Sequence, residues 1–126
     1  MLLNKTLNIM EICTPKGYIH TSYHTFKNEM QTFIIKGKRL KNWKIFHAEF
    51  KKEMHFPDYY GENMNAWIDC VDELSDKPTI LQIENGKYLK ENVPELFNAI
   101  LECGAFVNYR KIEVGEKPNL IIATDY

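Results

Sequence analysis

Phe56-Pro57-Asp58-Tyr59-Tyr60-Gly61-Glu62-Asn63, running directly into Met64-Asn65-Ala66-Trp67-Ile68-Asp69-Cys70, is the stretch on which the fold turns. Pro57 ends any helix arriving from upstream, because the residue before a proline is pushed out of the α region. Asn63 is a good helix cap, and Gly61 ahead of it can take the φ > 0 conformation of a tight turn. Met64, Trp67, Ile68, Val71 and Leu74 then recur at i, i+3, i+4, i+7 and i+10, which makes one apolar stripe. Asn65, Asp69 and Asp72 form the opposite stripe. The expected unit is a turn that delivers two tyrosines to an amphipathic helix with acids facing water. Aromatics beside carboxylates on an exposed turn suit a basic pocket on a partner. The structural alternative packs Tyr59 and Tyr60 on a sheet and leaves the acids to solubilise the helix.

Upstream, Asn42 caps a helix in which Trp43, Phe46, Phe50 and Met54 share an apolar stripe, with His47, Lys51 and Lys52 away from it. Thr32 to Ile35 is a short β-rich run stopped by Lys36-Gly37-Lys38. Downstream, Ser75-Asp76-Lys77-Pro78 breaks the helix, and Thr79 to Ile83 reads as a mostly buried strand. Tyr88-Leu89 fits a short helical turn. A longer helix starts near Pro94, which the first helical turn tolerates, with Leu96, Phe97, Ile100 and Leu101 as its stripe. Gly104 is its expected stop, with Ala105 to Val107 either extending it or adding a strand. Asn119 to Thr124 is a final β run after Pro118. Strands alternating with helices predict an α/β fold with a small parallel sheet covered by helices.

With 126 residues, 44% of them hydrophobic, the chain suits one globular domain. No apolar run reaches the roughly 18 residues of a membrane span. The N-terminus lacks the basic-then-apolar order of a secretory signal. A soluble cytoplasmic protein is expected. Cys13, Cys70 and Cys103 are too widely spaced for a paired-ligand zinc motif and read as reduced thiols. Residues 1–29 show neither helical nor strand period and read as an N-terminal extension to a domain over 30–126.

Charge is unevenly placed. From Met30 to Phe56, seven Lys/Arg stand against Glu49 and Glu53, a net of +5, whereas from Pro57 to Glu102 ten Asp/Glu stand against Lys77, Lys87 and Lys90, a net of −7. No Lys or Arg lies three or four residues from Asp69 or Asp72 on their helix, so these like charges look uncompensated. Such a surface predicts a basic partner and a steered encounter. The bland alternative is that the two halves neutralise each other across the fold.

Other chemistries find less support. His20 and His24 have ligand spacing for a helix, but no third ligand lies at a supporting distance. His47 and Glu49 do not share a helix face, which argues against an acid–base pair. The glycines form neither a dinucleotide fingerprint nor a phosphate loop. The Lys36 to Lys52 patch lacks interleaved stacking aromatics for direct nucleic acid binding.

In these motifs the chain resembles the barstar family, the small intracellular inhibitors of secreted microbial ribonucleases. Phe50-Lys51-Lys52-Glu53-Met54, Pro57 to Asn63, and Ala66 to Asp69-Cys70 carry the resemblance. Met30 aligns with the family's starting methionine, Phe33 to Ile35 with its first strand, and the terminal strand is displaced by a longer connection after Gly104. The resemblance implies a small three-stranded parallel sheet with helices, and an inhibitor rather than an enzyme, needing no cofactor or metal. It implies a partner that is a small basic ribonuclease or nuclease toxin, blocked by the acidic helix and the Tyr-Tyr-Gly turn. The residues expected to face it are Tyr59, Tyr60, Gly61, Asn63, Asn65, Ile68, Asp69 and Asp72. Tyr59 would cover part of the cleft, and Asp69 would take the place of an RNA phosphate.

The chain also departs from the family. Asn65 stands where the family usually carries a second acid. Trp67-Ile68 reverses its aliphatic-then-tryptophan order, and Leu74 lies where some members place another tryptophan. An acid on the family's later helix finds Ala99 in register, with Glu95 and Glu102 nearby. These departures open an alternative: a barstar-like protein-interaction or regulatory module that does not inhibit a nuclease.

Overall fold

β1 (Gln31–Lys36) leads through a 3-10 turn (Gly37–Arg39) to α1 (Trp43–Glu53) and α2 (Met64–Leu74); β2 (Thr79–Glu84), α3 (Gly86–Asn92), α4 (Pro94–Glu113) and β3 (Leu120–Thr124) follow. The structure, a computed structural model, describes residues 30–125. The expected extension over residues 1–29, with Cys13, His20 and His24, lies outside the described residues. The strands lie in the order β1-β2-β3. Both pairs are parallel, with Phe33 opposite Leu81 and Leu81 opposite Ile122. Parallel neighbours need a long crossover. α1 and α2 supply the first, and α3 and α4 the second. The α/β class and three-stranded parallel sheet expected from the sequence are therefore the observed architecture.

Alternation decides which sheet face is covered. Ile35, Leu81, Ile83 and Leu120 are buried in one core with the helices, whereas Ile34 and Ile121 on the other face are exposed. β2 is thus half-buried by face, where the sequence suggests burial on both. The caps form as expected: the Asn42 side chain accepts from Ile45 N at 2.9 Å, and that of Asn63 from Ala66 N at 2.9 Å. Of the α1 stripe, Phe46, Phe50 and Met54 are fully buried, while Trp43 at the helix start stays exposed. Among the described residues no helix is long and apolar enough to cross a membrane.

α4 is the main departure from the sequence expectation. It does not stop at Gly104 but runs on to Glu113. A Cβ at Gly104 would run into Ile122 of β3, so this glycine permits a close helix–sheet approach. The left-handed residue that ends the helix is Gly115, at φ 80°. Ile100, Gly104, Val107 and Lys111 form the buried stripe, at helical spacing. Asn108 then fastens α4 to the start of β3: its Nδ2 donates to Leu120 O at 2.9 Å, and its Oδ1 accepts from Leu120 N at 3.1 Å.

Removing that side chain leaves two half-buried backbone groups without partners. Asn108→Ala should lower the unfolding free energy by about 1–3 kcal/mol in urea denaturation. Asn98→Ala, at an exposed position of the same helix, should be neutral or slightly stabilising, because alanine is the better helix former. Equal stability of the two variants would rule out the Asn108 clamp.

Candidate partner-binding site

The turn between α1 and α2 is built around buried anchors. α1 closes with Met54 N donating to Phe50 O at 2.9 Å, and Phe56 N reaches back to Lys51 O at 3.0 Å. His55 between them takes φ 57°. Tyr60 N then donates to Pro57 O at 3.0 Å, which closes the tight turn. Met54, Phe56 and Tyr60 are buried, while Tyr59 is 83% exposed. These three side chains pin the loop, and Tyr59 is left in solvent. Gly61 does not have positive φ; Glu62 does, at 55°. The Asn63 side chain, which bonds Gly61 O and Ala66 N, holds the chain on either side of that residue.

His47 is displaced most from its expected place on a solvated face. It is buried, and its Nδ1 shares a 2.5 Å hydrogen bond with the Tyr60 hydroxyl. The turn folds back over α1, so the Tyr60 ring drops between Phe56, at 4.8 Å, and His47, at 5.6 Å. Burial lowers the His47 pKa below the ordinary histidine value, and Glu62 opposes part of that shift. Burial, with help from Cys70 and Glu62, likewise pushes the Tyr60 phenol up. Both groups are therefore neutral at pH 7, and the contact joins two uncharged partners.

α2 presents two unlike faces. Trp67, Ile68 and Val71 are buried, and Trp67 meets the Phe50 ring edge-on at 5.6 Å. Asn65 and Asp69 are exposed, while Asp72 is half-buried. The expectation that Tyr60 and Ile68 face a partner is corrected by their burial: both are core residues that hold the turn and the helix in place. Tyr59, Gly61, Asn63, Asn65 and Asp69 are on the surface as expected, with the Asn63 side chain committed to its own backbone contacts.

Asp69 and Asp72 are not uncompensated. Arg110 of α4 reaches Asp69 Oδ1 at 3.1 Å and Asp72 Oδ2 at 3.2 Å. Lys111, itself buried, meets Asp72 Oδ1 at 3.0 Å, Asp76 Oδ1 at 3.0 Å and Glu116 Oε1 at 3.7 Å. Burial works against the Lys111 charge, but the hydrogen bonds it donates to Asp76 and Asp72 outweigh it and raise the pKa above that of an ordinary lysine. Neither cation belongs to α2, so i±4 bookkeeping on that helix misses both. The signal that would have found them is the period Ile100, Gly104, Val107, Lys111, which carries α4 past Gly104 and back beside α2.

One depression of about 300 Å3 is lined by Asp76, Lys111, Gly115, Glu116, Lys117 and Asn119. Another of about 230 Å3 lies at the ends of β2 and β3, around Glu84 and Thr124. Tyr59 and Asp69 line neither. Cys70 and Cys103 are free, and burial raises both thiols, with further help from neighbouring acids, so neither is an activated nucleophile. Among the described residues no group of three His, Cys, Asp or Glu side chains could hold a metal ion. What the region offers is an exposed tyrosine and an exposed carboxylate carried on buried anchors.

A protein-family model described as Barstar (barnase inhibitor) matches residues 30–115. The chain belongs to the barstar family. It is also 32% identical over 73 residues, covering 58% of this chain and 80% of the relative, to the Bacillus subtilis (strain 168) protein named "Putative ribonuclease inhibitor YrdF". The barstar match spans β1 through Gly115, so it takes in the turn, α2 and the whole of α4 with Arg110 and Lys111.

Because His47 is held neutral, its titration ties stability to acidity. A free imidazole protonates near pH ~6.5, and the folded value lies lower. The His47 contribution is therefore complete above about pH 6.5 and declines as the pH falls below it, until the folded-state pKa is reached. Thermal melts from about pH 7.5 to about pH 5 should show that loss. His47→Gln, which can still bond the Tyr60 hydroxyl but cannot titrate there, should show a shallower slope. Identical slopes would place the acid sensitivity elsewhere.

Proposed function

We propose that this barstar-family protein is a stoichiometric inhibitor of a small basic ribonuclease or nuclease toxin, protecting the cell that makes it. It seats Tyr59, Asn65 and Asp69 in the nuclease cleft. The observation that carries this reading is the pairing of an 83% exposed Tyr59 with an Asp69 side chain that is 70% exposed, both on one continuous turn–helix unit. A carboxylate placed in a cationic phosphate site gains charge-assisted hydrogen bonds. An aromatic ring beside it excludes water and lowers the local dielectric, which strengthens those bonds. The family's description as a barnase inhibitor and the printed name of YrdF support the choice of partner class. Inhibition here needs no chemistry: the surface fills a site and the nuclease loses access to RNA.

A second reading has one observation in its favour. Arg110 and Lys111 offset much of the acidity of α2, which suits an interaction or regulatory module that does not inhibit a nuclease. RNA cleavage that stays complete at micromolar excess of the protein, across a panel of small basic ribonucleases, would favour that module.

Calorimetric titration with barnase tests the leading reading. Asp69→Ala and Tyr59→Ala should each weaken binding about tenfold or more, ~1.4 kcal/mol. Lys52→Ala, exposed on α1, should change it by less than about twofold, and association should slow as salt rises. Equal affinities for Asp69→Ala and Lys52→Ala would sink the assignment of Asp69.

A further inference from the structure

We propose that Arg110, bridging Asp69 and Asp72 from α4, is a specificity-determining residue of the partner-binding face. It selects against uniformly cationic clefts and for a partner that sets an acidic group beside the cation meeting Asp69. The proposal rests on the inhibitor reading above and identifies the partner chemistry that the face accepts.

The two neighbouring cations of α4 are placed differently. Lys111 is buried behind Asp72 and Asp76, with its side chain 6% exposed. The Arg110 side chain is 38% exposed, at the margin of the Asp69 surface. Asp69 gives one oxygen to Arg110 at 3.1 Å, and the exposure of its side chain leaves the other free for a partner. Any cation that takes that second oxygen arrives within a few ångström of the guanidinium. Once water is excluded from the contact, two like charges so close repel strongly. A cleft lined only with Lys, Arg and His therefore meets Asp69 and Arg110 together, and the second opposes the first.

A mixed partner turns the same geometry to advantage. A guanidinium carries five N–H donors, and Asp69 and Asp72 are each met by a single terminal nitrogen. Donors remain for a carboxylate on the partner, and a guanidinium is suited to bind it in forked geometry. Phe106, one turn before Arg110 on α4 and 45% exposed, extends an apolar margin along the same helix. In the free protein the pair contributes little, as exposed ion pairs do. Replacing Arg110 should therefore change recognition far more than it changes the fold.

The test is a titration series with barnase as the uniformly basic probe, each variant first shown by thermal melting to be folded. Arg110→Gln should tighten binding roughly tenfold or more relative to the parent protein, and Arg110→Glu further. Arg110→Lys, which keeps the charge, should stay near the parent. The double variant Asp69→Asn/Arg110→Gln should lose the gain. If Asp69→Ala weakens binding but Arg110→Gln does not tighten it, the inhibitor reading stands and the Arg110 proposal falls. If Asp69→Ala leaves barnase binding unchanged, the Asp69 reading fails and takes the proposal with it. No measurable binding by Arg110→Gln or Arg110→Glu at micromolar concentration also overturns it.

Discussion

The edge-on contact between Phe50 and Trp67, 5.6 Å between ring centroids, is the constraint from which the rest of the surface follows. It sets α1 against α2, and the turn between them must then span a fixed gap. Burying an indole removes about 200 Å2 from water, worth about 5 kcal/mol at ~25 cal/mol per Å2. Among the described residues Trp67 Nε1 finds no hydrogen-bond partner, and leaving such a donor unpaired costs about 1–3 kcal/mol. Apolar burial exceeds that cost, so Trp67 stays in the core. Once it is there, helical geometry places Asn65 and Asp69 on the opposite face.

The same core fixes the turn. Phe50, Phe46, His47, Tyr60 and Phe56 touch ring to ring in that order, so the loop ending at Tyr60 is tied to α1 along one aromatic row. The neutral His47–Tyr60 hydrogen bond lets two polar groups lie in that row without a charge to desolvate. Tyr59 has no place in it and projects outward. Its exposure follows from the burial of Phe56 and Tyr60, which tie down the backbone that carries it. That preorganisation limits the entropy lost on binding.

Where periodicity and turn chemistry acted alone, the sequence was enough. Asn42 and Asn63 cap their helices, Pro57 ends one, Pro94 opens another, and the three β runs become three parallel strands. Tyr60 and His47 were misplaced for a shared reason: their burial depends on a loop folding back across a helix, which no local period records. Gly61 looked like the residue needing positive φ because glycine takes it at least cost, yet the Asn63 hydrogen bonds impose that conformation on Glu62. Gly104 looked like a helix stop because a Cβ-free residue serves equally for a cap and for close packing. Only the position of β3 separates the two uses, and Ile122 decides for packing.

That single misreading of Gly104 also hid the electrostatics. A segment net of −7 treats charge as a property of sequence windows, but α4 continues beyond the window and returns Arg110 and Lys111 to α2. The two cations then differ by burial. Lys111 has a raised pKa, so its contribution is complete at neutral pH and is lost only in strong alkali, as the pH rises through the folded value. Ringed by half-buried Asp72 and by the more exposed Asp76 and Glu116, it would leave three neighbouring carboxylates without their shared cation if removed, and it acts as scaffold. Arg110 is exposed, screened by salt and exchangeable for an incoming charge. The core holds Lys111, and only Arg110 is open to negotiation with a partner, so the acidity that α2 shows to another protein depends on what that protein offers Arg110.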